Sequence, residues 1–326
     1  MNAVDALAAG TPAPSSTIRR NQFLDAIARS LTRAAAILVL VMLGGVIVAL
    51  IDGSMLSIRT FGLGFITTEK WNPVTEVFGA AAPIYGTLMT SFIALLIGVP
   101  LSIGIAIFLT ELCPRQLKRP LGTAIELLAG IPSIIYGIWG LFVLAPLLQS
   151  TVQPFLISVF EPVPFLSSLF AGPPYGIGVL TAGLILSIMI LPFVTSITRD
   201  VFDTVPPMLK ESAYGLGCTT WEVVWNVVLP YTRTGVIGGI MLGLGRALGE
   251  TMAVTFVIGN AHRIATSLLA PGTTISASIA NEFTEADGDL YTSSLVTLGL
   301  ILFVITFIVL ACARLLLLRM KRAEGK

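Results

Sequence analysis

The sequence predicts an all-α integral membrane protein with six transmembrane helices, on two observations. Of its 326 residues, 55% are hydrophobic and only 11% are charged, and the mean hydropathy is +0.91. An ordinary soluble domain carries about 25% charged residues, so this composition excludes soluble, disordered, disulfide-scaffold and nucleic-acid-binding classes. The second observation is six apolar stretches, each near the roughly 20 residues that a helix needs to cross the hydrocarbon layer.

Five of the six predicted spans contain no charged residue. In chain order these five are 34–51, 84–110, 127–149, 176–198 and 293–313. The other span, 235–261, precedes the last of them; it is apolar and rich in glycine but holds Arg246 and Glu250. A proline inside a helix removes a hydrogen bond and clashes with the preceding turn. Prolines at positions 100, 132, 146 and 192 therefore predict tilted or kinked spans.

The distribution of Lys and Arg predicts that both chain termini are cytoplasmic. Of the 19 Lys and Arg residues, only Arg59, Lys70 and Arg263 fall in the loops on the opposite side, and Arg246 lies within a span. Cytoplasmic loops of membrane proteins carry the excess of positive charge. The predicted organisation is a cytoplasmic tail over 1–33, a six-helix membrane domain over 34–318 with a cytoplasmic loop at 203–231, and a short tail over 319–326.

Neither a disulfide nor a catalytic centre is predicted in this chain. The three cysteines all fall toward the predicted cytoplasmic face, where thiols stay reduced. They are Cys113, Cys218 and Cys312. No GxxxxGK[ST] loop for phosphates of ATP is present. One histidine, His262, is too few for a multi-histidine metal site, and we expect it to be a solvated side chain in an external loop.

The cytoplasmic loop between the fourth and fifth spans carries the most specific pattern in the chain. The pair Pro206-Pro207 favours a helix start, and Gly215 and Gly217 favour its end. Thr219 and Glu222, three positions apart, predict a capping box for a second short helix.

Four apolar residues then recur at the spacing of one helical face. They are Trp221, Val224, Trp225 and Val228, and Pro230 is expected to end the helix. An apolar face that carries tryptophan is typical of a helix that fits a partner's groove. Packing on the membrane surface or within the same subunit is the alternative.

This loop resembles the EAA motif of ABC importer permeases, which reads Glu-Ala-Ala, three residues, Gly, nine residues, Ile-x-Leu-Pro. The residues that match in register are Glu211, Ala213, Gly217, Leu229 and Pro230. Ser212 and Val227 replace motif residues. The resemblance implies a coupling helix that docks into a cleft of an ATPase subunit, through these five residues together with Trp221 and Trp225.

Three further segments are similar to the C-type permease of the phosphate-specific ABC importer: Phe78–Ser91, Arg119–Gly140 and Gly245–Val254. With Trp71-Asn72-Pro73, the resemblance extends from Trp71 to the C-terminus. It implies the type I ABC importer permease fold. The implied partners are a second homologous permease, an ABC ATPase dimer and a periplasmic phosphate-binding protein. The binding protein would dock on the external loops 52–83, 150–175 and 262–290. ATP and Mg would be bound by the ATPase, and no cofactor is expected in this chain.

Arg246 and Glu250 are charges at membrane depth. They are four positions apart on one predicted helix, which places them on one face. Charged residues inside a membrane span normally face the bundle interior or an aqueous path. A guanidinium matches phosphate oxygens, and Glu250 could orient Arg246 or accept a proton from phosphate. The resemblance implies that both are transport residues, whereas a self-neutralising pair that holds helices together is the alternative. Glu126, at the start of the third span, is expected to lie at the interface.

The function that we expect is transmembrane transport of inorganic phosphate, coupled to a cytoplasmic ATPase. A permease for molybdate or sulfate would have the same architecture. A phosphate-sensing membrane scaffold or an ion-gradient carrier would be a protein of a different class, and the carrier leaves the EAA-like loop unexplained.

Overall fold

The structure is a computed structural model that describes residues 16–323, with their side chains for residues 21–319. Its long helices, in chain order, are α1 Ser16–Phe61, α2 Ala81–Leu112, α3 Arg115–Ala129, α4 Ser133–Phe160, α5 Val179–Phe202, α6 Pro207–Gly215, α7 Thr220–Leu248, α8 Ile275–Glu282 and α9 Asp289–Ala323. Single helical turns lie at Gly64–Thr67, Pro164–Leu169 and Met252–Thr255. Among the described residues, β pairing is limited to one bridge between Asn72 and Val77.

Six of these helices are long and apolar enough to cross a membrane, as predicted: α1, α2, α4, α5, α7 and α9. The third begins at Ser133 rather than at position 127. Gly130 ends α3, and Pro132 immediately precedes α4. Because the residue before a proline avoids the helical conformation, the chain breaks there. Glu126 consequently lies on α3 and not on a membrane span.

The chain divides into two compact units between Asp52 and Gly53. In the first unit, the described residues are the initial part of α1, which includes the apolar stretch predicted as span 1. The predicted tail over 1–33 lies partly outside the described residues, and the tail over 319–326 largely does. Every element of the candidate site belongs to the second unit.

The second unit is organised around α5, the most buried of the six candidate spans. Ile185, Leu186, Met189 and Ile190 of this helix are fully buried and pack with side chains from α2, α4 and α7. Tight contact depends on small residues: a Cβ on Gly183 would lie 2.5 Å from a side-chain carbon of Ile93. Close approach of this kind is how helices associate in lipid, where burial alone gives no preference for protein contact.

Two smaller clusters lie beside this core. One joins Phe65 and Phe78 to Leu295 and Leu298 of α9. The other joins Ala106, near the end of α2, to Phe202 and Val205 at the end of α5 and to Val223 and Val228 of α7. The second cluster lies beneath the 203–231 segment and holds that segment against the helical bundle.

Candidate functional site

The 203–231 segment forms the two helices and the glycine turn that its sequence predicts. Gly217, after α6, has φ +88°, a conformation that favours glycine. The Cys218 N–H donates to the carbonyl of Ala213 at 3.2 Å, which closes the end of α6. The Thr219 N–H donates to Glu222 Oε2 at 2.8 Å, and Thr219 Oγ1 accepts from the Glu222 N–H at 3.4 Å. The predicted capping box is confirmed.

The helix that follows presents a buried face and an exposed face. Val224 and Val228 are buried in the cluster beneath the segment. Trp221 and Trp225 are 64% and 59% exposed, and their rings stack with centroids 5.8 Å apart. The four residues predicted to line one face differ in burial, because the valines pack against the bundle and the tryptophans are exposed.

Pro230 does not end this helix, which continues to Leu248. A π turn over Val224–Val228 comes immediately before Leu229 and Pro230. Because a π turn widens the backbone, it makes room for the proline ring and matches the missing N–H. The short helix that carries Trp221 is therefore continuous with the fifth membrane span.

The other residues of the EAA-like pattern divide between two environments. Ala213 and Leu229 are half-buried and pack against the cluster of Phe202 and Val228. Glu211 and Pro230 are exposed. Ala213 and Leu229 thus fix the segment to the bundle.

Arg246 and Glu250 do not share a helix face, contrary to the expectation from their spacing. Helix α7 ends at Leu248, and residues 249–251 separate it from the single turn Met252–Thr255. Glu250 Oε1 accepts a hydrogen bond from the Ala253 N–H at 3.2 Å, at the start of that turn. Among the ion pairs of the described residues, none joins Arg246 to Glu250. The predicted fifth span, 235–261, is thus interrupted.

Arg246 is held by an aromatic ring instead of a carboxylate. Its Cζ lies 4.5 Å from the centroid of the Phe193 ring on α5. Its Nε is buried and has no hydrogen-bond partner among the described residues. The side chain is only partly exposed. A guanidinium stacked on a ring keeps its edge available for donating to an anion.

Glu126 lies at the end of the bundle that carries α6. Its Oε1 accepts from Arg199 Nη2 at 2.7 Å, and Asp200 Oδ1 accepts from the same nitrogen at 3.0 Å. Lys118 and Asp203 pair beside them at 3.1 Å. These residues line a polar cavity of about 400 Å³ between α3 and α5. Glu126 is therefore an ion-pair partner of α5, and its position at the membrane interface stays a prediction.

A polar and aromatic cluster at the opposite end was not predicted from the sequence. Glu282 Oε2 accepts from Trp71 Nε1 at 2.5 Å and from the Tyr291 hydroxyl at 2.6 Å. Glu282 Oε1 lies 2.7 Å from His262 Nε2. The His262 ring stacks on Trp71, with centroids 5.0 Å apart and an angle of 8° between the planes. His262 is only 14% exposed, so the expectation of a solvated side chain is wrong.

The environment of Glu282 keeps its carboxylate ionised. Burial raises the pKa of Glu282, but the hydrogen bonds from His262, Tyr291 and Trp71 outweigh burial and hold the pKa below its ordinary value. The four side chains come from four segments of the chain, so this carboxylate ties them together. The only signal in the sequence was the concentration of acidic residues in this loop. No described group of three or more His, Cys, Asp or Glu side chains is arranged to hold a metal ion.

Comparison with known proteins identifies the family. Residues 98–322 match the family described as "Binding-protein-dependent transport system inner membrane component". The chain is 71% identical over 326 residues to the "Phosphate transport system permease protein PstC" of Mesorhizobium japonicum, covering 100% of both chains. It is 59% identical over 306 residues to the protein of the same name from Pasteurella multocida, covering 94% of this chain and 95% of that relative.

Solved structures of ABC transporters share the fold. A bacterial alginate ABC transporter, in complex with a periplasmic protein bound to an alginate pentasaccharide, superposes with a TM-score of 0.58 at 18% identity, covering 90% of this chain and 94% of that one. The MetNI methionine ABC transporter superposes with a TM-score of 0.54 at 14% identity, covering 76% and 98%. The predicted ABC importer permease fold is confirmed. The chain is a multi-pass inner-membrane protein that belongs to the family of binding-protein-dependent transport system inner membrane components.

Proposed function

We propose that this chain is the transmembrane permease subunit of an ATP-driven importer of inorganic phosphate. The observation that carries the proposal is its 71% identity, over the full length of both chains, to a phosphate transport system permease. The chain itself would hydrolyse nothing. ATP and Mg would be bound by a cytoplasmic ATPase dimer, and a second homologous permease would complete the translocation path.

The 203–231 segment is the proposed ATPase-docking element. Trp221 and Trp225 form an exposed, stacked aromatic pair, while Ala213 and Leu229 anchor the segment from behind. Aromatic side chains of this kind are frequent energetic centres of interfaces. The distribution of Lys and Arg supports a cytoplasmic location for this face and for both chain termini. A periplasmic phosphate-binding protein would dock on the opposite loops, which include His262 and Glu282.

Arg246 is the proposed anion contact in the translocation path. Its ring-stacked guanidinium and its buried, unpartnered Nε support this role. Planar paired donors match two phosphate oxygens. Glu250, held at the helix break by the Ala253 N–H, is the proposed acceptor for the proton of a protonated phosphate. Such an acceptor would favour phosphate over sulfate, which carries no proton at neutral pH.

The positions of the ATPase-docking element and of Arg246 support a proposed conformational cycle. ATP binding would close the ATPases and bring the coupling helices together, opening the path outward, and hydrolysis would return it inward. Because the coupling helix is continuous with α7, which ends two residues beyond Arg246, its displacement would move the anion contact itself.

Uptake of radiolabelled phosphate into proteoliposomes tests the proposal. We expect ATP-dependent uptake only when the ATPase and the binding protein are both present, and competition by unlabelled phosphate but not by sulfate or molybdate. Uptake of sulfate or molybdate in preference to phosphate would assign the chain a different substrate. Uptake without the ATPase would contradict the ABC mechanism.

A further inference from the structure

Helix α6 is joined to α2 by a part-buried ion pair. Lys210 Nζ lies 2.6 Å from Glu111 Oε1, and the two side chains are only 19% and 7% exposed. Glu111 lies in a π turn, Phe108–Leu112, at the end of α2. No residue of α6 is fully buried, and its apolar contact with the bundle is through the half-buried Ala213. The ion pair is its short and directional connection to a membrane span.

This pair resists separation more strongly than an apolar contact would. Charge-assisted hydrogen bonds are short and directional, whereas apolar surfaces can slide past each other. If α6 moved away from α2, the carboxylate of Glu111 would be left unpaired at a buried position, which is strongly unfavourable. A displacement of α6 therefore carries the end of α2 with it.

The N-terminal end of α2 is in close contact with Thr273 and Ile275, which follow the break in the predicted fifth span. A Cβ on Gly86 would lie 1.8 Å from the carbonyl oxygen of Thr273, so the two backbones are in direct contact. The hydroxyl of Thr87 accepts a hydrogen bond from the Ile275 N–H at 3.0 Å. Helix α2, which spans 32 residues, thus connects α6 to the start of α8.

We infer that Glu111 and Lys210 are positioning residues, which transmit the movement of the coupling helix through α2 to the opposite end of the membrane domain. The inference rests on the proposed coupling role of the 203–231 segment and names the residues through which it acts. Neither residue touches the transported anion. Their loss should leave basal ATP hydrolysis intact but disconnect hydrolysis from the binding protein and from transport.

The neighbouring pair Lys118–Asp203 provides a matched control. It is also a Lys–carboxylate pair at the same end of the bundle, with N and O 3.1 Å apart. Its side chains are 37% and 49% exposed, and it joins Lys118 of α3 to Asp203, which precedes α6 by four residues and belongs to neither α6 nor α2. Exposed pairs of this kind contribute little. Removing it should leave the coupling unchanged.

The test uses the whole complex in proteoliposomes, with the variants Glu111→Gln, Lys210→Met, the exchanged pair Glu111→Lys/Lys210→Glu and the control Lys118→Gln. Two quantities are measured at equal amounts of assembled complex. One is phosphate uptake per ATP hydrolysed. The other is the stimulation of ATP hydrolysis by added binding protein, which does not depend on the anion transported.

For each single variant we expect both quantities to fall by about tenfold, within the range of coupling factors between distant sites. The exchanged pair should recover most of the loss, and the control should match wild type. Two results would overturn the inference. One is wild-type uptake per ATP and wild-type stimulation in both single variants. The other is an exchanged-pair variant whose uptake per ATP and stimulation are no higher than those of the single variants. If the wild-type complex takes up no phosphate, the proposed substrate is wrong, and the stimulation of hydrolysis still decides the role of the pair.

Discussion

The guanidinium of Arg246 lies over the ring of Phe193, with Cζ 4.5 Å from the ring centroid. The contact joins the last turn of α7 to α5, the most buried span. Phe193 thus takes the orienting role that the sequence spacing assigned to Glu250. Because a ring offers no hydrogen-bond acceptor in its plane, stacking orients Arg246 without occupying its donors.

Arg246→Lys should lower phosphate uptake by at least about tenfold, which corresponds to roughly 1.4 kcal/mol of lost binding. The charge is kept, but an ammonium lacks the planar paired donors and the stacking surface. Uptake is measured in membranes with equal amounts of assembled complex.

Since Arg246 and Glu250 are not paired, the double variant Arg246→Gln/Glu250→Gln should not recover uptake. Near-normal uptake by the double variant would leave both residues a purely structural role.

Gly217→Val should uncouple ATP hydrolysis from transport while the chain still inserts into the membrane. A Cβ at this position would meet no atom within 4 Å, so the effect comes from the φ of +88° and not from a clash. A β-branched residue in that conformation is strained by roughly 1–3 kcal/mol. Gly217→Asn is the control, because asparagine tolerates positive φ. Equal uptake per ATP hydrolysed in both variants would contradict a role for the turn geometry.

Gly86→Ala and Gly104→Ala, both in α2, should have opposite effects on stability. At Gly86, the added Cβ would fall 1.8 Å from the carbonyl oxygen of Thr273, and backbone must shift to admit it. At Gly104, it would meet nothing within 4 Å. We expect Gly86→Ala to lower the thermal midpoint of the complex in detergent. Gly104→Ala should leave it unchanged or raise it, since alanine favours a helix interior over glycine by about 0.5–1 kcal/mol.

The Glu282 cluster predicts a loss of stability in acid. The pKa of Glu282 is lower in the folded state than its ordinary value, since the hydrogen bonds outweigh burial. Its contribution is therefore fully present above the unfolded pKa of about 4.3 and is lost as the pH falls through the lower, folded pKa. Thermal midpoints measured from pH 7 to pH 3 should be flat to about pH 5 and then decline. Glu282→Gln should lessen the decline, whereas Glu285→Gln, at an exposed position, should retain it.

Thiol labelling tests the orientation. In intact cells, an impermeant maleimide should not label Cys113 or Cys218, which are partly exposed at the α6 end. Both should be labelled in inside-out vesicles. Val74→Cys, introduced at a position 92% exposed in the first external loop, is the positive control and should be labelled only from outside. Labelling of either native cysteine from outside would reverse the proposed topology.

Sequence patterns over short stretches of the chain predicted part of the structure. Composition and apolar runs sufficed to predict six spans, although not the bounds of the third and fifth, because lipid requires each span to satisfy its own backbone hydrogen bonds. The capping box of Thr219 and Glu222 and the turn at Gly217 were also predictable. Each depends on residues a few positions apart, whose geometry the backbone alone sets.

The interruption of the fifth span depended on tertiary contacts. The carbonyl of Val257 accepts from the Gly178 N–H at 2.9 Å, and the carbonyl of Ile258 accepts from the Gly272 N–H at 3.0 Å. Because partners elsewhere in the chain satisfy this backbone, the helix is free to end at Leu248. The break falls at Gly249, Glu250 and Thr251, but apolar residues lie on both sides of it, so hydropathy alone reads 235–261 as one span.

The polar contacts between residues far apart in the sequence could also be seen only in the tertiary structure. Lys210 and Glu111 are 99 positions apart, and Trp71 and Glu282 are 211 positions apart. Each of these residues, read alone in the sequence, is an ordinary loop or helix-end side chain. Only the packing of α2, α5 and α9 brings them within hydrogen-bond distance. The sequence by itself therefore determined the number of spans and the turn at Gly217. Tertiary packing decided which charges pair, and it left the buried Nε of Arg246 without a partner among the described residues.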